Sequence, residues 1–347
     1  MALPMPPIDH PESGYLNGHH PAGGVPDSVP PFFAVEPPIK LNKLLLHLIL
    51  FLATLGTATF FYAVLEGSDP VTHPWSLVSG LPFSLPLMFI LLSHEMGHYL
   101  LARKHRVRAT LPYFIPGFPT FGAFIRMQSL PSDRRVLFDI GAAGPWAGIA
   151  ATIPALILGL SLSEVHPLSP LDGGLYLGDS LLFTALTQLV LGVSGNEVSI
   201  VLHPIAFAGW FGLFVTFLNL LPVGQLDGGH VIYSLFGSWH RWVARVFLVV
   251  IAVLGAHGWT GWFFWIGLLV LLGVDHPPTR DFHSSLDPRR KVYAWCTVGL
   301  FLLTFMPIPI SQIDPVNIPK AETTPIAYVP GHPVSPQQHS FFPVYRP

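Results

Sequence analysis

A single cysteine stands in 347 residues, and Cys296 therefore has no partner for an intramolecular disulfide and cannot build a Cys-based zinc ribbon. Charge is scarce as well: Asp, Glu, Lys and Arg make up 10% of the chain, against about 25% in ordinary soluble domains. A formal net charge of −2 offers no basic face, which leaves nucleic acid without support as a partner. The first 40 residues contain no apolar core segment, so no signal peptide is expected there. No repeat of solenoid type is found. What the chain does have is apolar sequence, 51% hydrophobic with a mean hydropathy of +0.54. It reads as an integral membrane protein in a lipid bilayer.

The apolar runs give the architecture. Residues 44–65, 81–102, 136–160 and 204–223 are each long enough to cross roughly 30 Å of hydrocarbon. Residues 243–256 and 262–274 are short for a full crossing and would tilt or thin the bilayer locally, and residues 292–310 form a last span. Residues 181–193 are too short to span and read as interfacial. Residues 109–127 are apolar, but Pro112, Pro116, Gly117, Pro119 and Gly122 break any straight helix. They predict a small β-hairpin or loop dipping into the membrane, which is tolerated only under protein or beside a water cavity. The fold class expected is an all-α polytopic membrane protein of about seven transmembrane helices with that one β element. Residues 41–310 form the membrane-embedded domain, between disordered Pro-rich tails at 1–40 and 311–347.

Lys and Arg orient the spans. With seven crossings, one set of loops receives Lys40, Lys43, Arg103 to Arg108, Arg134, Arg135, Arg241, Arg245 and Arg289 to Lys291. The other set, including 66–80 and 161–203, has no Lys or Arg. By the positive-inside rule the N-terminus is cytoplasmic, in a bacterial inner membrane on this reading.

His94-Glu95-Met96-Gly97-His98 lies inside the second run. On a helix the two histidines are one turn apart, so both imidazoles can hold one zinc ion. Glu95 sits beside that face without ligating, where it can take a proton from a metal-bound water. A glutamate and two histidines in an apolar span are costly, and by default they mark a functional site. The site falls five to nine residues before Arg103, roughly 8–14 Å below the cytoplasmic face at about 1.5 Å per residue.

Two histidines leave a catalytic zinc one protein ligand short. A third histidine at position 104, with a glycine at 101, would complete one known pattern, but Leu101 and Lys104 stand there. Asp227 is the better candidate, because the fourth run ends on the same side as the second. His230 is the weaker rival. The string Leu-Asp-Gly-Gly also occurs at Leu171 to Gly174, but Asp172 falls in a loop assigned to the opposite face.

Taken together, the His94 motif, Gly144-Pro145 in the next run, and Asn219 through Gly228 (NLLPVGQLDG) resemble the site-2 protease family of intramembrane zinc metalloproteases, closest to bacterial and plastid members. The resemblance covers residues 81–230. It implies that His94, His98 and Asp227 bind one catalytic Zn2+ and that Glu95 is the general base. Asn219 would hold substrate or transition state, and Gly122, Ala123, Phe124 and Ile125 would form an edge strand for substrate. The implied activity is cleavage of a peptide bond in or near a transmembrane segment of a membrane-protein substrate. The alternative class is a zinc transporter or sensor that binds the metal without hydrolysis.

Overall fold

The computed structural model describes residues 41–167, 174–193, 198–281, 283–313 and 344–345. They are mostly helical. Nine helices follow one another among the described residues: α1 (Leu41–Leu65), α2 (Leu81–Lys104), α3 (Arg134–Ser161), α4 (Leu181–Leu191), α5 (Pro204–Asn219), α6 (Asp227–Phe236), α7 (His240–His257), α8 (Gly261–Leu272) and α9 (Pro288–Thr304).

Their starts are written in the sequence. Asp133 caps α3 by accepting from the N–H groups of Arg135 and Val136. Ser180 caps α4 through the N–H of Phe183, and Gly192 ends that helix at φ 67°. Asp287 caps α9, with Pro288 at the first helical position.

Four helical segments are long and apolar enough to cross a membrane: Leu41–Leu65, Pro74–Lys104, Arg134–Ser161 and Asp227–His257. These apolar helices mark the chain as a multi-pass membrane protein. α5, α8 and α9 have 16, 12 and 17 residues, short of the roughly 20 that a perpendicular crossing needs. α6 runs into α7 through a single 3-10 turn, Gly237–Trp239.

β1 (Tyr113–Pro116) and β2 (Thr120–Phe124) pair antiparallel between α2 and α3. His47 of α1 donates its Nδ1–H to the Pro112 carbonyl at 3.0 Å, which fastens the hairpin to the first helix. The Phe51 and Phe114 rings meet edge-on at 5.0 Å across the same junction.

The all-α expectation needs correcting at the other end of the helices. A five-stranded sheet forms there in the order β3 (Glu164–Pro167), β5 (Val198–Val201), β7 (Val344–Tyr345), β4 (Gly174–Leu177), β6 (Ile310–Ile313). Each strand has four residues or fewer, too short for a period of two to register in a sequence rich in Pro and Gly. Two of them fall in the stretch expected to be a disordered tail. β6 is antiparallel to β4, and β7 lies between β4 and β5, where Tyr345 is fully buried. Residues 1–40 and 314–343 lie outside the described residues.

The sheet gathers segments that follow α3, precede α5 and follow α9, so these helix ends share one face. The opposite ends meet through charge. Arg290 at the start of α9 makes a bidentate pair with Asp139 near the start of α3, at 2.8 and 2.7 Å. Between these faces the core is aromatic: Tyr62 stacks on Phe83, Phe83 on Phe207, and Phe207 on Trp210.

Candidate metal centre

α2 carries His94, Glu95 and His98, all buried (3%, 5% and 6% exposed). α5 ends at Asn219, the chain turns through residues 220–226, and α6 opens on Asp227. Gly228 and Gly229 permit that turn: a Cβ on Gly228 would lie 1.9 Å from the Leu220 carbonyl oxygen, and one on Gly229 2.3 Å from that of Gly224. The result is convergence. His94 Nε2 lies 3.0 Å from Asp227 Oδ2, His98 Nε2 lies 3.2 Å from the same oxygen, and the two Nε2 atoms are 3.2 Å apart.

That triangle fits zinc. Ligands about 2.0–2.2 Å from a tetrahedral ion sit roughly 3.3–3.5 Å from one another, so a slight opening seats the ion. The chemistry of the donors agrees. His98 Nδ1 lies 2.8 Å from the Ile140 carbonyl, which can only accept, so Nδ1 carries the proton and Nε2 presents a lone pair. Among the described residues this is the one group of three or more His, Cys, Asp or Glu side chains close enough to share an ion.

α3 makes room for the histidines with a row of glycines. A Cβ on Gly144 would lie 2.0 Å from His98 Nε2, and one on Gly148 3.0 Å from His94 Nδ1. One on Gly141 would lie 2.7 Å from His230 Cβ. Conversely, a Cβ on Gly97 of α2 would lie 2.5 Å from the Ala143 carbonyl oxygen. The specific service of Gly144 and Gly148 to the imidazoles shows only in three dimensions. The spacing 141, 144, 148 along one helical face was the available signal.

A cavity of ≈160 Å³ opens on the centre, and Glu95, Asn219, His230, Ala123, Phe124 and Ile125 line it with the three candidate ligands. Asn219 Nδ2 lies 3.3 Å from His94 Nε2. Gly122 stands apart: it does not line the cavity, and its φ of +94° falls inside β2, where the register with β1 shifts. His230 stays out of the ligand triangle. Its Nδ1 is 2.7 Å from His276 Nε2, and His276 Nδ1 is 2.6 Å from the Pro277 carbonyl. Burial first, then the neighbouring His230, pushes the His276 pKa down to about 3, so it is neutral. The carbonyl fixes the His276 proton on Nδ1, and the His230 proton on its own Nδ1 follows from that. Asp172 lies outside the described residues.

Residues 82–256 match peptidase family M50. Among curated relatives, the chain is 38% identical over 167 residues to a probable zinc metalloprotease EGY1, chloroplastic, of Oryza sativa subsp. japonica, covering 46% of this chain and 29% of that protein. It is 37% identical over 167 residues to the Arabidopsis thaliana EGY1 (46% and 30% covered) and 31% identical over 164 residues to the Arabidopsis thaliana EGY2 (46% and 30% covered). The match thus spans about 30% of the length of these relatives. They are named chloroplastic, and the bacterial inner membrane expected from the sequence finds no support in them.

Proposed function

This chain belongs to peptidase family M50, and from that membership we propose that it is an intramembrane zinc metalloendopeptidase, with His94, His98 and Asp227 as metal ligands and Glu95 as general base. The observation that carries the reading is the convergence of His94 Nε2, His98 Nε2 and Asp227 Oδ2 within 3.2 Å, beside a buried glutamate that is not part of the triangle.

Bound zinc would polarise the scissile carbonyl and acidify its water. The chain's own groups do the rest. Glu95 takes the proton of the attacking water and hands it to the leaving amine. Asn219 Nδ2, 3.3 Å from His94 Nε2, is within reach of a substrate oxygen at the centre and donates to it. The family membership and Glu95 both weigh against a non-hydrolytic transporter or sensor, for which a base beside the ligands has no use.

Substrate geometry follows from size. A cavity of ≈160 Å³ cannot admit a helix about 10–12 Å across, so a transmembrane substrate must enter unwound. The hairpin supports that state. β2 pairs with β1 along one edge only, and Ala123 and Phe124 line the cavity. Backbone N–H groups alternate across a strand. With β1 on one edge, the Ala123 backbone at the cavity is the part of the free edge offered to an incoming substrate strand. Ala123→Pro should therefore slow cleavage of a model transmembrane substrate by at least about tenfold through loss of one strand hydrogen bond, with zinc content unchanged. Normal cleavage by this variant would remove the strand from the mechanism.

In the same reading α5, α8 and α9 complete seven crossings, and the hairpin dips into the bilayer from the face bearing Lys and Arg. The metal centre lies nearer that face than the sheet. The ligand assignment is tested directly: Asp227→Ala should lose most of its zinc and all measurable cleavage, while Asp172→Ala keeps both. Metal analysis of the two purified variants decides it, and equal zinc loss in both would reject Asp227 as the ligand.

A further inference from the structure

A second cavity, of ≈610 Å³, lies at the joint between α6 and α7, a size typical of ligand sites. Its wall includes Arg134, Arg241, His240, His276, Tyr233 and Asp275. The charge is lopsided. Asp275 is the one carboxylate lining it among the described residues, and it is already paired with Arg245 at 3.7 Å. Arg134 spends its Nε–H on the Ser284 carbonyl and faces no carboxylate, and Arg241 is exposed. Two guanidinium charges therefore border the space without a counter-ion among the described residues.

A polar atom is also left waiting. His240 is 2% exposed, and its Nε2 is buried with no hydrogen-bond partner. A buried polar group left unmatched is costly, so such an atom calls for a ligand or an explanation. Two guanidinium groups and an imidazole suit the phosphate oxygens of a bound anion.

The surroundings say where the anion comes from. Trp239 and Trp242 are 70% and 53% exposed at the rim, the place such side chains take at a membrane–water boundary. From Trp242 an exposed apolar stripe runs along α7 through Val246, Val249 and Val253, at helical spacing. We propose that the cavity holds the headgroup phosphate of an anionic phospholipid, whose acyl chains lie along that stripe of α7. Basic pockets between membrane helices take such headgroups by charge and by the apolar track beside them. The site abuts the metal centre: His276 in its wall is hydrogen-bonded to His230, which lines the smaller cavity.

Native mass spectrometry of the full chain in detergent tests this, with phosphatidylglycerol, phosphatidylcholine and glycerol 3-phosphate as probes. One saturable phosphatidylglycerol is expected, bound about tenfold tighter than phosphatidylcholine, from roughly two uncompensated charges. Arg241→Glu should erase that preference and Arg241→Lys should keep it; Arg241 is exposed, so neither change disturbs the core. Equal binding of the two lipids by the wild type, or an unchanged preference in Arg241→Glu, would overturn the site. Loss in Arg241→Lys as complete as in Arg241→Glu would overturn the charge argument. Glycerol 3-phosphate binding as tightly as the lipid would overturn the lipid source in favour of a soluble phosphate ester.

Discussion

Glu95→Gln is expected to bind as much zinc as the wild-type chain and to cleave a transmembrane model substrate at least about 10²-fold more slowly, the usual loss when a positioned base is removed. The two halves of that expectation have different origins. Metal content is expected to hold because Glu95 contributes no atom to the triangle of His94 Nε2, His98 Nε2 and Asp227 Oδ2. Glutamine has the shape of glutamate, so the packing around this buried position is kept. Cleavage is expected to collapse because an amide does not take the water proton. Parallel measurement of zinc stoichiometry and initial rate separates the outcomes. Zinc loss in Glu95→Gln would make the residue a ligand, and near-wild-type cleavage would remove it as the base.

How much of this was legible beforehand depended on spacing. His94 and His98 are one helical turn apart, and α2 supplied the helix, so half of the centre could be read from five residues. Asp227 lies 133 positions from His94, and only a topological argument about which helix ends share a face brought it near. Long apolar runs announced α1, α2 and α3 within a few residues. Arg290 at the start of α9 does meet Asp139 near the start of α3, a contact between helices that no local pattern announces. The five-stranded sheet was invisible for a physical reason. Its strands are stabilised by pairing across the whole sequence, β4 with β6 and β5 with β7, rather than by any local pattern. His276 escaped notice likewise: a lone histidine in a polar loop carries no signal until His230 is seen 2.7 Å away.

The glycine row on α3 yields the sharpest structural expectation. In an ordinary helix interior, Gly→Ala adds stability, up to about 1 kcal/mol, because alanine restricts the unfolded chain. Gly299 on α9, with nothing within 4 Å of its missing Cβ, should behave in that way and leave zinc binding and cleavage intact when changed to alanine. Gly144 should not. Its Cβ would sit 2.0 Å from His98 Nε2 and 2.4 Å from both flanking ring carbons, so the imidazole must retreat by roughly 1 Å or more. Ligand distances in a metal site tolerate only about ±0.2 Å. Nor can the ring tilt away cheaply, since Nδ1 is held by the Ile140 carbonyl at 2.8 Å and His98 is buried. Gly144→Ala is therefore expected to lose most of its zinc and cleavage while keeping a wild-type helical signal, with a lower thermal transition from the overpacked core and the lost metal. Gly148→Ala, with 3.0 Å to His94 Nδ1, asks for a shift of a few tenths of an ångström and should fall between. The order in zinc content should thus be Gly299→Ala, then Gly148→Ala, then Gly144→Ala. A Gly144→Ala protein that retains one zinc per chain would mean that His98 does not hold the metal in the orientation described, and the assignment of the centre would fail with it.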